Sequence, residues 1–131
     1  MIVYKDKFLS IDYFSDKNYI LVTRIAPEDI DMDEYIHLMA EWLKVIKKYK
    51  PTLQLVDYSD LTTPIKPEFQ KYAHEHLIVP AVKISIKKTA FILSRHLFAQ
   101  MSVEQTMSKS SDILEFRFFS NFNSAKDWLL Q

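Results

Sequence analysis

Six polar side chains that follow two apolar runs are the residues in this sequence best placed to do chemistry. Leu53–Val56 precedes Asp57, Ser59, Thr62 and Thr63, and Thr89–Leu93 precedes Arg95 and His96. If the runs are parallel strands, these residues meet at the carboxyl edge of the sheet, where open α/β sheets bind ligands. A carboxylate, a guanidinium and an imidazole together could bind an anion or take part in acid–base catalysis.

A structural explanation of the same residues competes with the chemical one. Arg95 could pair with Asp57 to complete a loop while His96 begins a helix. Ion pairs that hold loops are far more common than active sites, so the sequence favours the structural role over catalysis. We therefore predict a binding rim at these six residues and no catalytic residue.

The tripeptide His74-Glu75-His76 is the strongest metal-like pattern in the chain. Residues two apart do not share a face of a helix, whereas zinc-binding helices place their histidines four apart. No third ligand is evident in the sequence, so we predict no metal site and no cofactor. His37 falls on the polar side of a predicted helix and is expected to be solvated.

The chain has no glycine and no cysteine among its 131 residues. Without glycine it cannot contain a P-loop, a G-x-G-x-x-G dinucleotide turn or a G-x-S-x-G nucleophile elbow, because each needs backbone without a Cβ. The lack of cysteine excludes thiol catalysis, disulfides and thiolate metal sites. We therefore expect that the protein is not an enzyme.

Charge and hydropathy limit the kinds of partner. Seventeen basic residues balance seventeen acidic ones, whereas nucleic-acid binders usually have a basic excess. Phe116-Arg117-Phe118 resembles a base-stacking platform only locally. The apolar runs fall far short of the ~18 residues of a membrane span. We expect no nucleic acid, no membrane span and, with no cysteine and no signal-like start, a cytoplasmic location.

Two β-rich runs and a long helix open the predicted fold. Leu9–Phe14 and Tyr19–Ile25 flank a four-residue turn, which predicts a β-hairpin. Apolar residues then recur with helical spacing up to Pro51, and Asp31 with Glu34 forms a capping box at the start of this helix.

Three more strands alternate with three more helices in the rest of the chain. The strands are predicted at Leu53–Asp57, Thr89–Leu93 and Leu114–Phe119. A helix begins at Pro67 and is expected to end before Pro80, after which Val82, Ile84 and Ile86 favour a strand or an extended loop. The last two helices are Leu97–Lys109, with a second capping box at Ser102 and Gln105, and a closing helix capped by Ser120.

The order β-β-α-β-α-β-α-β-α predicts one α/β domain that spans residues 1–131. Strands that alternate with helices form mostly parallel sheets through right-handed crossovers. We expect a five-stranded, mostly parallel sheet with an antiparallel N-terminal hairpin and about four helices.

Three motifs carry a resemblance to a known family: Leu55–Leu61, Lys87–Ile92, and Phe118-Phe119-Ser120 followed by Ala125 and Trp128-Leu129. They resemble the third strand with its turn, the fourth strand, and the closing strand and helix of the STAS-like superfamily, most closely the SpoIIAA-like proteins. The resemblance implies a β-α superhelix used in protein partner-switching. In the anti-sigma-factor antagonists of that family, a serine in an Asp-Ser-Ser-Gly turn is phosphorylated. This chain has Leu61–Pro67 there, with Thr62 and Thr63 but no Asp-Ser pair and no glycine.

Two functions remain open from the sequence. The first is an intracellular interaction or regulatory module that binds a protein partner through the loop after the third strand and the helix that follows. The alternative is a carrier for a small apolar or amphipathic ligand, as in the related CRAL-TRIO domains. A homodimer is compatible with either, since most soluble oligomers are homo-oligomers.

Overall fold

The computed structural model describes residues 1–25 and 30–131, which form one mixed β-sheet with helices on both faces. Within these residues the sheet has six strands, and their order in space follows their order in the chain. The first two pairings are antiparallel and the remaining three are parallel. The predicted α/β class is confirmed. The strands are β1 (Ile2–Lys5), β2 (Leu9–Phe14), β3 (Tyr19–Arg24), β4 (Leu53–Asp57), β5 (Lys88–Ile92) and β6 (Glu115–Phe119).

The predicted strand count of five is wrong because the chain begins with an additional edge strand. Strand β1 pairs antiparallel with β2, with Tyr4 opposite Ile11. The connection is held by Asp6, whose Oδ1 accepts hydrogen bonds from the backbone N–H groups of Phe8 (2.7 Å) and Leu9 (2.9 Å). Four residues are too few to show a clear alternating pattern, so this strand depends on its turn and its partner.

The predicted hairpin of β2 and β3 is confirmed, and it shows how a glycine-free chain makes tight turns. Asn18 ends the turn with φ 53°, and Lys50 ends the first helix with φ 49°. Asparagine is among the residues that tolerate the left-handed region best, whereas lysine is not. The Asn18 side chain donates to the Lys50 carbonyl at 3.2 Å, which joins the two turns at the amino edge of the parallel strands.

Four helical units cover the sheet within the described residues. The predicted capping box at the start of the first helix is confirmed: Glu34 N–H donates to Asp31 at 2.8 Å and Asp31 N–H to Glu34 at 3.2 Å. The last helix is capped by Asn121, which accepts from Ser124 N–H at 2.9 Å, and not by Ser120 as predicted. The helices are α1 (Met32–Tyr49), α2 (Pro67–Ala73), a π-helical segment (His74–Ile78), α3 (Val79–Ile84), α4 (Leu97–Ser108) and α5 (Phe122–Leu129).

Helix α2, the π-helical segment and α3 run on as one helical unit, so the predicted end before Pro80 is wrong. In a regular α-helix the proline ring clashes with the carbonyl four residues earlier and removes a hydrogen bond. The wider π turn, in which Val79 N–H donates to His74 C=O, precedes the proline and lets the helix continue. Val82 and Ile84 are consequently helical, not part of a strand or extended loop; Ile86 lies beyond the helix end.

Two hydrophobic layers hold the helices to the sheet. The larger layer lies between the sheet and α1, α2–α3 and α4, and it contains the fully buried Ile20, Val56 and Ile46. The smaller layer places Ala125 and Leu129 of α5 against the opposite face. Strands β4 and β5 are therefore buried on both faces, and the loops at their carboxyl ends are carried on a rigid base.

Candidate functional site

The predicted rim residues lie where the parallel strands end. Tyr58 N–H donates to Ile92 C=O and Leu93 N–H to Phe119 C=O, each at 2.9 Å, so the sheet ladder extends one residue past β4 and β5. The loops that carry the rim residues leave the sheet immediately after these bonds. The structure thus places Asp57 at the last position of β4, and Ser59, Thr62, Thr63, Arg95 and His96 in the loops that follow β4 and its neighbour β5.

Asp57 organises the first of the two loops. Its Oδ1 accepts a hydrogen bond from Ser59 N–H at 2.9 Å, and Leu61 N–H donates to Tyr58 C=O at 2.9 Å. These bonds form a compact turn, of the kind in which an aspartate side chain accepts a hydrogen bond from the backbone N–H two residues later. Ser59 is exposed on this turn, and Thr62 and Thr63 follow it half-buried.

The second loop leads directly into helix α4. The buried Ser94 accepts a hydrogen bond from His96 N–H at 3.0 Å, and His96 is the N-cap residue of α4. The prediction that His96 begins a helix is confirmed. Arg95 and His96 both expose their side chains.

Asp57 and Arg95 do not form the loop ion pair that the sequence offered as an explanation. Over residues 1–25 and 30–131, the ion pairs within 4.0 Å are Lys44–Glu41 and His76–Glu75. No hydrogen bond joins Asp57 or Ser59 to His96 in the same residues. The rim is therefore an open polar margin around the carboxyl edge, and its role in binding stays a prediction.

An exposed apolar ridge next to the rim was missed by the sequence analysis. It consists of Leu97, Phe98 and Met101 on the first turns of α4, with 62%, 72% and 42% of their surfaces exposed. The inward face of α4 is instead formed by Ala99, Ser102, Val103, Thr106 and Met107. Those inward residues are spaced at i, i+3, i+4, i+7 and i+8, which is the signal that could have shown the ridge pointing outward.

A groove separates this ridge from the loop that precedes α2. Phe98 and Met101 line one wall, and Pro64, Lys66 and Pro67 line the other. The groove opens on the surface and continues the apolar area of the ridge across to the loop. Contiguous exposed apolar area of this kind marks interaction sites on soluble proteins.

Hydrogen bonds fix the two walls of the groove relative to each other, and those made by Ser102 are buried. Ser102 Oγ accepts from Ile65 N–H at 2.9 Å and donates to Ala99 C=O at 2.7 Å. Gln70 donates to Ile65 C=O at 2.8 Å and to the Gln105 side chain at 3.3 Å. The predicted second capping box at Ser102 is therefore wrong: this serine lies inside α4 and clamps the loop to it.

An internal cavity of about 40 Å³ lies within the larger hydrophobic layer, between the sheet and the helices that cover this face. Its helical wall includes Leu77 of the π-helical segment and Ala81 of α3, and its sheet wall includes Val56 and Phe91. The space is sufficient for about three water-sized groups. Single π-helical turns occur frequently at functional sites, so this cavity is a second candidate.

The histidine pattern that resembled a metal site is spread over separate contacts. His74 Nδ1 lies 3.0 Å from Ser110 Oγ, whereas the His76 ring stacks on Tyr72 with centroids 4.2 Å apart. The part of the chain that the structure describes contains no group of three or more metal-ligating side chains. His37 is exposed on α1.

Comparisons with known proteins leave the site to be interpreted from its own geometry. No protein-family model and no curated protein matches the chain. Among the helices of the described residues, none combines the length and the apolar character needed to cross a membrane.

Proposed function

We propose that this protein is a non-enzymatic interaction module that binds a protein partner through the α4 ridge and the adjoining groove. The observation that carries the proposal is the exposure of Leu97, Phe98 and Met101 in one contiguous area. Leaving three large apolar side chains in water is unfavourable, at about 25 cal/mol per Å² of apolar surface. A partner that covers them recovers this free energy on binding.

The charges around the groove indicate what the partner segment is like. Lys66 lines the groove itself, and Arg95 and His96 are exposed where α4 begins. The described lining of the groove contains no carboxylate. An apolar segment flanked by Asp or Glu residues complements this surface, because charges at the margin of an interface steer the encounter and set its specificity.

The rim supplies the polar margin of this surface. Thr62 and Thr63 precede Pro64 along the loop that forms one wall of the groove. The resemblance to SpoIIAA-like proteins implies a switching turn near these residues, and the proposal includes a partner-switching role without the Asp-Ser turn. The fixed geometry of Ile65 on Ser102 favours a preformed surface, which lowers the entropic cost of binding.

A photo-activatable residue at position 98 tests the proposal in the host cell. We expect cross-links from position 98 to one defined protein and none from the control position 113, since Ile113 is another exposed apolar residue (42%) but lies outside the ridge. Equal cross-linking from both positions, or none from position 98, would contradict the proposal. Cross-links between two copies of this chain would show that the surface forms a homodimer and does not bind a different protein.

The internal cavity favours a second function, the transport or sensing of a small apolar or amphipathic ligand. Native mass spectrometry of protein purified from its host would then show a retained small molecule. Ala81→Leu, which adds a side chain to the cavity wall, should remove that mass. Lys83→Leu adds the same side chain on an exposed position of the same helix and should retain it.

A further inference from the structure

A buried arginine that has no acidic partner among the described residues lies at the end of β3. Arg24 is 7% exposed, and its Nε and Nη1 atoms are buried with no hydrogen-bond partner. Along β3 the side chains of Thr23 and Arg24 point to opposite faces of the sheet. Arg24 therefore shares the face of Ile20 and Val22, which belongs to the larger hydrophobic layer. No carboxylate of the described residues lies within 4.0 Å of its guanidinium.

Such a group is expected to have a counter-charge. Arginine stays protonated in proteins, so burial cannot be relieved by loss of a proton. An unpaired buried charge is among the most costly features of a folded chain. An anion that reaches the guanidinium from elsewhere would offset this cost.

Two buried tyrosines connect Arg24 to the internal cavity. The guanidinium carbon lies 5.9 Å from the centre of the Tyr58 ring, and both Tyr58 and Tyr35 line the cavity. Burial raises the pKa of both hydroxyls, and the charge of Arg24 offsets part of this rise; for Tyr58 its side-chain hydrogen bond with Arg24 does so as well. Both hydroxyls are therefore protonated at neutral pH and can donate to an anion beside Arg24.

Packing holds both tyrosine rings in place at this end of the cavity. Tyr35 stacks on Phe69 with centroids 4.6 Å apart, and Tyr58 lies parallel to Phe91 at 6.1 Å. The group of donors is thus fixed before any ligand binds. It lies at the carboxyl end of β3 and β4, where α/β sheets bind ligands.

We propose that Arg24, Tyr35 and Tyr58 bind the carboxylate of a short-chain organic acid whose hydrocarbon tail occupies the cavity. This inference rests on the second function above and names its ligand class. A carboxylate carries one negative charge and matches the single guanidinium, whereas a phosphate monoester would leave charge uncompensated in an apolar site. Space for about three water-sized groups limits the tail to about three or four carbons.

Calorimetric titration of the full chain with paired acids and alcohols tests the proposal. Butanoate and pentanoate are expected to bind at least about tenfold more tightly than 1-butanol and 1-pentanol. Octanoate, which exceeds the cavity, and butyl phosphate are expected to bind more weakly than butanoate. Butanoate and 1-butanol of equal affinity would overturn the carboxylate site but retain the cavity function, and binding of neither would overturn both.

Variants separate the charge of Arg24 from its packing. Arg24→Met should weaken butanoate binding at least about tenfold and leave 1-butanol binding within about threefold. Arg117→Met, a matched change on the exposed part of β6, should alter neither. If Arg24→Met does not fold, Tyr58→Phe provides the same comparison with one donor removed. Unchanged butanoate binding in a folded Arg24→Met or Tyr58→Phe protein would overturn the proposal.

An acidic side chain of the chain itself is the remaining source of a counter-charge. Glu28 and Asp29 follow Arg24 in sequence and lie outside the described residues. If they neutralised Arg24, the double variant Glu28→Gln/Asp29→Asn would free the guanidinium and increase butanoate affinity about tenfold or more. The proposal expects no such increase.

Discussion

A single hydroxyl group, that of Ser102, holds the two walls of the groove together. Ser102 Oγ is the acceptor for the buried Ile65 N–H, and it also donates to the α4 backbone. A buried N–H that loses its acceptor costs about 1–3 kcal/mol. The position of the loop wall therefore depends on one side chain of the helix wall.

Ser102→Ala should lower the free energy of unfolding by about 1–3 kcal/mol, because it orphans the Ile65 N–H. Ser108→Ala is the matched control: this serine makes the same kind of bond to a carbonyl three residues earlier, Gln105 C=O at 2.7 Å, but is exposed. It should change stability by no more than about 0.5 kcal/mol. Urea unfolding measures both, and equal losses would contradict the clamp.

The buried tyrosines predict a loss of stability at high pH. Their pKa values are raised in the folded state, so above pH ~10 the unfolded chain releases protons that the folded chain retains. Stability is thus retained below pH ~10 and falls as the pH rises towards the folded-state values, by about 1.4 kcal/mol per pH unit for each tyrosine. Denaturant unfolding at pH 9, 10 and 11 should show a smaller loss for Tyr35→Phe than for wild type. Parallel curves would refute this assignment.

At the scale of elements, a chain without glycine has placed a lysine where helices usually end in glycine. Lys50 caps α1 in the left-handed conformation, with its N–H bonded to Ile46 C=O. For a residue with a Cβ this conformation costs about 1–2 kcal/mol. Glycine removes that cost but increases the entropy of the unfolded chain.

Lys50→Gly should raise the free energy of unfolding by up to about 1 kcal/mol, because it relieves the left-handed backbone. Lys47→Gly, three residues earlier and exposed in the last turn of α1, should lower it by about 1 kcal/mol. In thermal denaturation, the melting temperatures of the two variants should therefore shift in opposite directions from that of the wild type. Destabilisation by both would show that the Lys50 backbone is not strained.

Elements with strong local signals were predicted from the sequence, and elements that depend on distant contacts were not. The capping box of Asp31, the β2–β3 hairpin and strand β4 were correct because periodicity and turn residues specify them locally. The continuation through Pro80 was missed because the proline rule applies to regular α-helices. Phe69, Ala73, Leu77 and Ala81, spaced four apart and all buried, were the available sign of one helix.

For the candidate site, the sequence predicted the edge of the sheet where it lies but not the apolar residues that form it. Sequence reasoning identified the carboxyl edge because parallel strands bring their ends together. It missed the α4 ridge, because apolar residues occur on all sides of that helix and the inward spacing that could have shown the ridge includes the polar Ser102 and Thr106. The lack of a carboxylate beside Arg24 among the described residues likewise depends on which groups surround it in space.

At the scale of the whole molecule, the fold separates stability from recognition. Strands β4 and β5 lie between two apolar layers, whereas the rim, the ridge and the groove lie at the surface beyond the strand ends. Changes at Phe98 should therefore affect binding with little effect on folding. Surface substitutions away from caps and buried bonds usually change stability by less than about 0.5 kcal/mol.

The affinity of the cross-linked partner for Phe98→Ala, compared with wild type and with Ile113→Ala, tests the central claim most directly. Phe98 is the most exposed residue of the ridge and the expected centre of the interface. Removal of such an anchor typically weakens binding by at least about 2 kcal/mol, or roughly thirtyfold. The account predicts a loss of this size for Phe98→Ala and less than about threefold for Ile113→Ala. Equal affinity of wild type and Phe98→Ala would contradict it.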